Sequence, residues 1–184
     1  MVNTMKICMY GSGSKNIDKK YFNVGYELGK KIALTDNCLV FGGGNHGLMG
    51  AVARGVKDHD GHIIGVFPEW MDMFEELYPD CDELIYTKSM DERKNKFAEK
   101  SDAFIICPGG IGTLDEFFEI VALRKLKRHK KTIIVYNYDS FYDKMIDMLD
   151  YMNSEDFLYK DSLEFHVCNT LDEIFDILNS NSIH

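Results

Sequence analysis

The stretch 108-PGGIGTLDEFFE-119 decides how this chain is read, because part of it recurs as 170-TLDEIFDIL-178 near the other end. Each TLDE has the form of a capping box, in which a Ser or Thr side chain accepts from a backbone N–H three residues on and the Glu there reaches back to the cap. What precedes them differs. The first copy follows the apolar run AFIIC at 103 to 107, closed by Pro108 and opened into a loop by Gly109, Gly110 and Gly112, whereas the second follows HVCN with no glycine. An apolar run, a glycine turn and a helix start, in that order, form one strand-loop-helix unit of an α/β protein.

Outward from this unit the same alternation holds. KICMY at 6 to 10, CLVFG at 38 to 42, HIIGVF at 62 to 67, a weaker run at Leu84 to Thr87, TIIVYN at 132 to 137 and FHVC at 165 to 168 read as strands. Between them lie helical patterns over Asp18 to Leu34, from near Leu48, over Met90 to Lys100, from Thr113 to about Lys127, over Phe141 to Asn153 and from Thr170. Ser89 and Glu92 supply a further capping box. Irregular sequence, PEWMDMFEELYPD, follows the third strand. The pattern predicts an α/β fold, a doubly wound, mostly parallel sheet with helices on both faces. With no linker, repeat or low-complexity segment, residues 1–184 read as a single domain.

At this length a domain buries roughly 70% of the surface its unfolded chain exposes, so no disulfide or metal is needed for stability. The composition, 45% hydrophobic and 28% charged with a net charge of −9, is that of a soluble protein whose field repels nucleic acid and anionic membrane. A phosphate-bearing ligand then requires a local positive site. Five cysteines (Cys8, Cys38, Cys81, Cys107, Cys168) without CxxC spacing predict buried reduced thiols, and the lack of a leader or of ~20 consecutive apolar residues predicts a cytoplasmic protein.

Ligands of open α/β sheets bind beyond the carboxyl ends of the strands. Three loops there are rich in glycine. GSGS at 11 to 14 reads equally as a tight turn or as a ligand contact. In 42-GGGNHGLMG-50 three consecutive glycines, with Gly43 and Gly44 among the candidate binding residues, suggest close approach of a ligand; His46 reads as an ordinary loop residue. In PGGIGT, backbone N–H groups and the positive end of a helix dipole make a site for one phosphate. The spacing matches neither the Walker loop nor GxGxxG. A counter-charge is available in 90-MDERKNKF-97, where Arg93 and Lys94 project from the first turn and Arg93 is expected to be exposed.

MDERK followed by PGGIGTLDE resembles the MxxRK and PGGxGTxxE pair of the LOG ("Lonely Guy") family of cytokinin riboside 5′-monophosphate phosphoribohydrolases, many labelled possible lysine decarboxylases. GGGNHGLMGAVA is similar to the family's GGGxxGLMG stretch, and the element order agrees from Lys6 to about Leu178. The resemblance implies a Rossmann-like nucleotide-binding domain, a homodimer, and hydrolysis of the N-glycosidic bond of a nucleoside 5′-monophosphate such as AMP or N6-isopentenyl-AMP to free base and ribose 5-phosphate. It places the catalytic pair on Arg93 and Glu116. Substrate-binding positions fall on Gly43, Gly44, Glu75, Met90, Lys94, Gly109, Gly110, Ile111, Gly112 and Thr113, with Glu75 reached by counting from Pro68. No metal and no cofactor are expected, since no His/Cys cluster has ligand spacing. Many plant members carry a Thr-Trp pair and WAQLG where this chain has Ala122-Leu123 and RKLKR, which leaves the choice of base open. The alternative is a non-catalytic carrier, as in the related molybdenum cofactor carrier proteins; retention of both Arg93 and Glu116 favours the enzyme. Lysine decarboxylation lacks its Schiff-base constellation.

Overall fold

A computed structural model describes residues 4–158 and 163–181. Seven strands form one sheet: β1 (Lys6–Tyr10), β2 (Cys38–Phe41), β3 (His62–Pro68), β4 (Glu83–Thr87), β5 (Ala103–Ile106), β6 (Thr132–Tyr136) and β7 (His166–Cys168). Their spatial order is β4-β3-β2-β1-β5-β6-β7, and every pairing is parallel. The expected "mostly parallel" sheet is thus wholly parallel among the described residues. Six α-helices connect the strands: α1 (Lys19–Leu34), α2 (Gly47–Lys57), α3 (Met90–Lys100), α4 (Ile111–Lys125), α5 (Asp143–Ser154) and α6 (Leu171–Asn181).

Burial on both faces explains the strand sequences. Ile7 and Met9 of β1, with Leu39, Phe41, Ile63, Ile105 and Ile134, pack against α1, α2 and α6. Cys8 and Tyr10, with Val40, Val66, Phe104, Ile106 and Val135, pack on the other face against α3, α4 and α5. A strand buried on both sides reads as a continuous apolar run because successive side chains point to opposite faces. Cys8, Cys38, Cys107 and Cys168 are buried thiols and Cys81 is half-buried, as expected. The α4 helix ends at Lys125, two residues short of the expected Lys127, which itself adopts a left-handed φ of 57° that a helix cannot continue through.

β1 is the centre of this order. The chain steps outward from it through β2, β3 and β4 on one side, and through β5, β6 and β7 on the other. Where the direction reverses, the loops leaving β1 and β5 diverge and open a crevice at the carboxyl edge. Ser12 N–H donates to the Pro108 carbonyl at 3.1 Å, fixing the two loops to one another at that point.

Candidate active site

The crevice is a cleft of about 370 Å³ lined by residues of all three glycine loops, together with Glu75, Met90, Arg93, Thr113 and Glu116. Its first wall is the start of α4. The helix begins at Ile111, with Gly110 as a cap residue that offers no side-chain acceptor, and Leu114 N–H closes the first turn on the Gly110 carbonyl at 3.1 Å. The N–H groups of Ile111, Gly112 and Thr113 therefore begin the helix without intrahelical partners. A Cβ at Gly110 or Gly112 would meet nothing within 4 Å, so an anion reaches this backbone unobstructed. The Ile111 side chain is 83% exposed and outside the cleft lining, and Gly109 serves Thr113, whose Oγ1 would lie 2.1 Å from a Cβ at that position.

This early start corrects the capping-box reading of the first TLDE. Thr113 is buried in the third helical position and Glu116 lies a turn further in, so neither caps anything. The second copy does form the box: Glu173 N–H donates to Thr170 Oγ1 at 3.3 Å, and Glu173 Oε2 accepts from the N–H groups of Thr170 at 3.3 Å and Asn169 at 2.7 Å. At the first copy the chain enters the helix three residues sooner than at the second, where α6 starts at Leu171. Released from capping, the Glu116 carboxyl lines the cleft. Burial raises its pKa to about 7, with the charges of Asp115 and Glu75 adding to the effect and those of Arg93 and Lys94 opposing it.

Arg93 comes from the first turn of α3. Ser89 caps this helix by accepting from Glu92 N–H at 3.1 Å, while the Glu92 carboxylate reaches back to Lys88 N–H at 2.8 Å. Contrary to expectation, Arg93 is buried, with 6% of its surface exposed. Its guanidinium turns inward, donating from Nε to the Val66 carbonyl at 3.2 Å and from Nη2 to the Gly42 carbonyl at 2.8 Å, over the face of Phe97 at 5.4 Å. An always-charged group with five N–H donors is tolerated there because carbonyl oxygens satisfy part of it and the remainder face the cleft.

The triple glycine has a cause that the sequence did not suggest. A Cβ on Gly42 would lie 2.3 Å from Arg93 Nη2, and one on Gly44 would lie 2.2 Å from Glu75 Oε1. These glycines make room for the protein's own side chains. Gly43, at φ +79°, turns the loop and sits against Phe67 and Leu77; neither it nor Gly44 lines the cleft. Glu75 is delivered by the irregular segment, where a 3₁₀ turn at Met71–Met73 is followed by a strap tied to the glycine loop through Tyr78 N–H to the Gly43 carbonyl (2.7 Å) and Asn45 N–H to the Glu76 carbonyl (2.8 Å). His46 is bonded to Glu76 at 2.9 Å. Lys94 points elsewhere, pairing with Asp115 at 3.3 Å and with Glu119, so it joins α3 to α4 and is not part of the cleft lining.

Met9, Tyr10, Met49 and Met71 complete the cleft and carried no signal in the sequence, whereas Gly11 to Gly13, left open there, do line it. A larger hollow of about 830 Å³ lies at the opposite end of the strands around Asp102, Arg124 and Lys131, away from the edge where ligands of such sheets bind. No group of three or more His, Cys, Asp and Glu side chains placed to hold a metal ion occurs among the described residues.

The family model described as possible lysine decarboxylase matches residues 49–180. A cytokinin riboside 5′-monophosphate phosphoribohydrolase LOG of Oryza sativa subsp. japonica is 38% identical over 157 residues, 85% of this chain and 65% of that protein. The chain belongs to the LOG family. A relative of the same description from Arabidopsis thaliana is 34% identical over 153 residues, 83% of this chain and 71% of its own length. Solved structures share the fold: the molybdenum cofactor binding protein of Rippkaea orientalis has a TM-score of 0.72 at 24% identity, covering 97% of this chain and 98% of that one. The molybdenum cofactor carrier protein of Chlamydomonas reinhardtii has the same TM-score at 23% identity and the same coverage.

Proposed function

We propose that this protein hydrolyses the N-glycosidic bond of a nucleoside 5′-monophosphate, of the class of AMP and N6-isopentenyl-AMP, releasing free base and ribose 5-phosphate. One observation carries the reading: a carboxyl and a guanidinium, Glu116 and Arg93, line the cleft into which an uncapped helix N-terminus opens. The 5′-phosphate binds the free N–H groups of Ile111, Gly112 and Thr113, aided by the helix dipole. That contact sets the ribose over Glu116, one turn into the helix. As the bond breaks, positive charge develops on the sugar, and the Glu116 carboxylate opposes it and accepts the proton of the attacking water. Arg93 cannot release a proton, and holds the ribose and departing base by hydrogen bonds.

The activity in the names of the rice and Arabidopsis relatives agrees with this reading. A homodimer is part of the proposal, for Ile111 and Phe118 of α4, the following Leu126, and Met148 and Tyr151 of α5 are exposed apolar side chains. The carrier reading has the fold in its favour, but a carrier has no need of Glu116 raised toward neutrality at the anion site. Incubating the purified protein with AMP and with N6-isopentenyl-AMP separates the two. Free base and ribose 5-phosphate are expected; tight binding with no product supports a carrier.

A further inference from the structure

Hydrolysis at C1′ requires a proton for the departing base as well as a carboxylate for the sugar. Four ionisable side chains line the cleft: Tyr10, Glu75, Arg93 and Glu116. Tyr10 is 3% exposed and lies between Phe97 and Phe104 in the core, and a guanidinium does not give up its proton. Glu116, below the phosphate loop, is committed to the sugar. His46, on the neighbouring glycine loop, is held on Glu76 and is not part of the lining.

Resting on the hydrolase reading above, we propose that Glu75 is the general acid that protonates the leaving base. Its carboxyl occupies a slot that only glycine permits, since a Cβ at Gly13 or at Gly44 would stand 2.5 Å or 2.2 Å from Oε1. Loops from two different strands thus shape a seat for this one group. No protein hydrogen bond ties the carboxyl there among the described residues; Arg93, the same guanidinium that faces Glu116, and after it His46 favour its charged form. Burial raises the Glu75 carboxyl above its ordinary range, and its charge adds to the rise at Glu116, so the pair is suited to hold one proton between them. A base seated against Glu75 excludes more water and draws that proton to it.

The step balances. The Glu75 carboxyl gives its proton to a ring nitrogen of the base as the C1′–N bond breaks and its electron pair passes to the base. Water adds to C1′ and loses its proton to Glu116. Exchange with solvent then returns a proton to Glu75, and the sum is nucleotide plus water giving base plus ribose 5-phosphate. The placement divides labour between two carboxyl groups, as in glycoside hydrolysis.

The test compares AMP with its N7-methylated analogue, whose base already carries a positive charge and departs neutral without a proton. Glu75→Gln should lower kcat for AMP by about 10²-fold or more, the scale of a lost general acid, while cleaving the N7-methylated nucleotide close to the wild-type rate. Glu116→Gln should lose both. Glu75→Asp, an acid of shorter reach, should recover part of the AMP rate. Equal loss on both substrates in Glu75→Gln, or no loss on either, overturns the assignment, as does a wild-type protein that cleaves AMP but not the methylated nucleotide. No base release from either substrate by the wild type overturns the hydrolase reading itself.

Discussion

Replacing Glu116 by Gln should make the protein more stable at pH 8 and leave its stability almost unchanged near pH 4.5. Burial moves this carboxyl from an ordinary 4.5 to about 7, so between those values the folded state binds a proton that the unfolded chain has released. Stability therefore falls as pH rises through that window and is flat above it. At about 1.4 kcal/mol for each tenfold change in protonation, the ionised side chain costs at most on the order of 3 kcal/mol above pH 7. The carboxyl borders the solvent of the cleft, which screens it and brings the expected cost to roughly 1–2 kcal/mol. Glutamine fills the same volume without charge. Urea unfolding of wild type and Glu116→Gln at pH 5 and pH 8 should show a stabilisation that is small at pH 5 and several-fold larger at pH 8, with turnover lowered by on the order of 10²-fold. A variant equally or less stable than wild type at pH 8 refutes the reasoning. As a control, Glu173→Gln should cost a few tenths of a kcal/mol and leave turnover intact, because its capping box accepts glutamine as well as glutamate.

Other expectations follow from the same contacts. Arg93→Ala should destabilise by about 1–3 kcal/mol as well as abolish turnover, since it strips the Val66 and Gly42 carbonyls of their donor; chemical denaturation reads the first effect and steady-state kinetics the second. Gly42→Ala, whose Cβ would stand 2.3 Å from Arg93 Nη2, should displace the guanidinium and lower kcat with the fold retained by circular dichroism. Lys94→Met removes the tie to Asp115 and Glu119, and calorimetry should show a lower Tm together with a fall in kcat as α3 and α4 lose their relative placement.

The fold was legible because a parallel sheet writes apolar runs between helical patterns, and seven such runs were visible, weakest at the partly exposed edge strands β4 and β7. The site was legible in part. PGGIGT could be read as an anion site from glycine and helix start alone, but the register of the helix could not, because a TLDE capping box is locally satisfactory and only the structure shows α4 entering at Gly110. Arg93 looked like one charge in a solvated run. Its burial depends on two carbonyls more than twenty residues away, at Val66 and Gly42, which no local pattern reports. The same holds for the glycines at 42 and 44, which make room for the side chains of Arg93 and Glu75.

The most direct test compares a monophosphate with its own nucleoside. If the N–H groups of Ile111 to Thr113 hold the phosphate and thereby place C1′ over Glu116, binding energy at that remote group is what positions the reacting bond. N6-isopentenyl-AMP should yield free base and ribose 5-phosphate, while N6-isopentenyladenosine at the same concentration should be cleaved at least about 10²-fold more slowly. Equal release of base from nucleotide and nucleoside, or release from neither, contradicts the account.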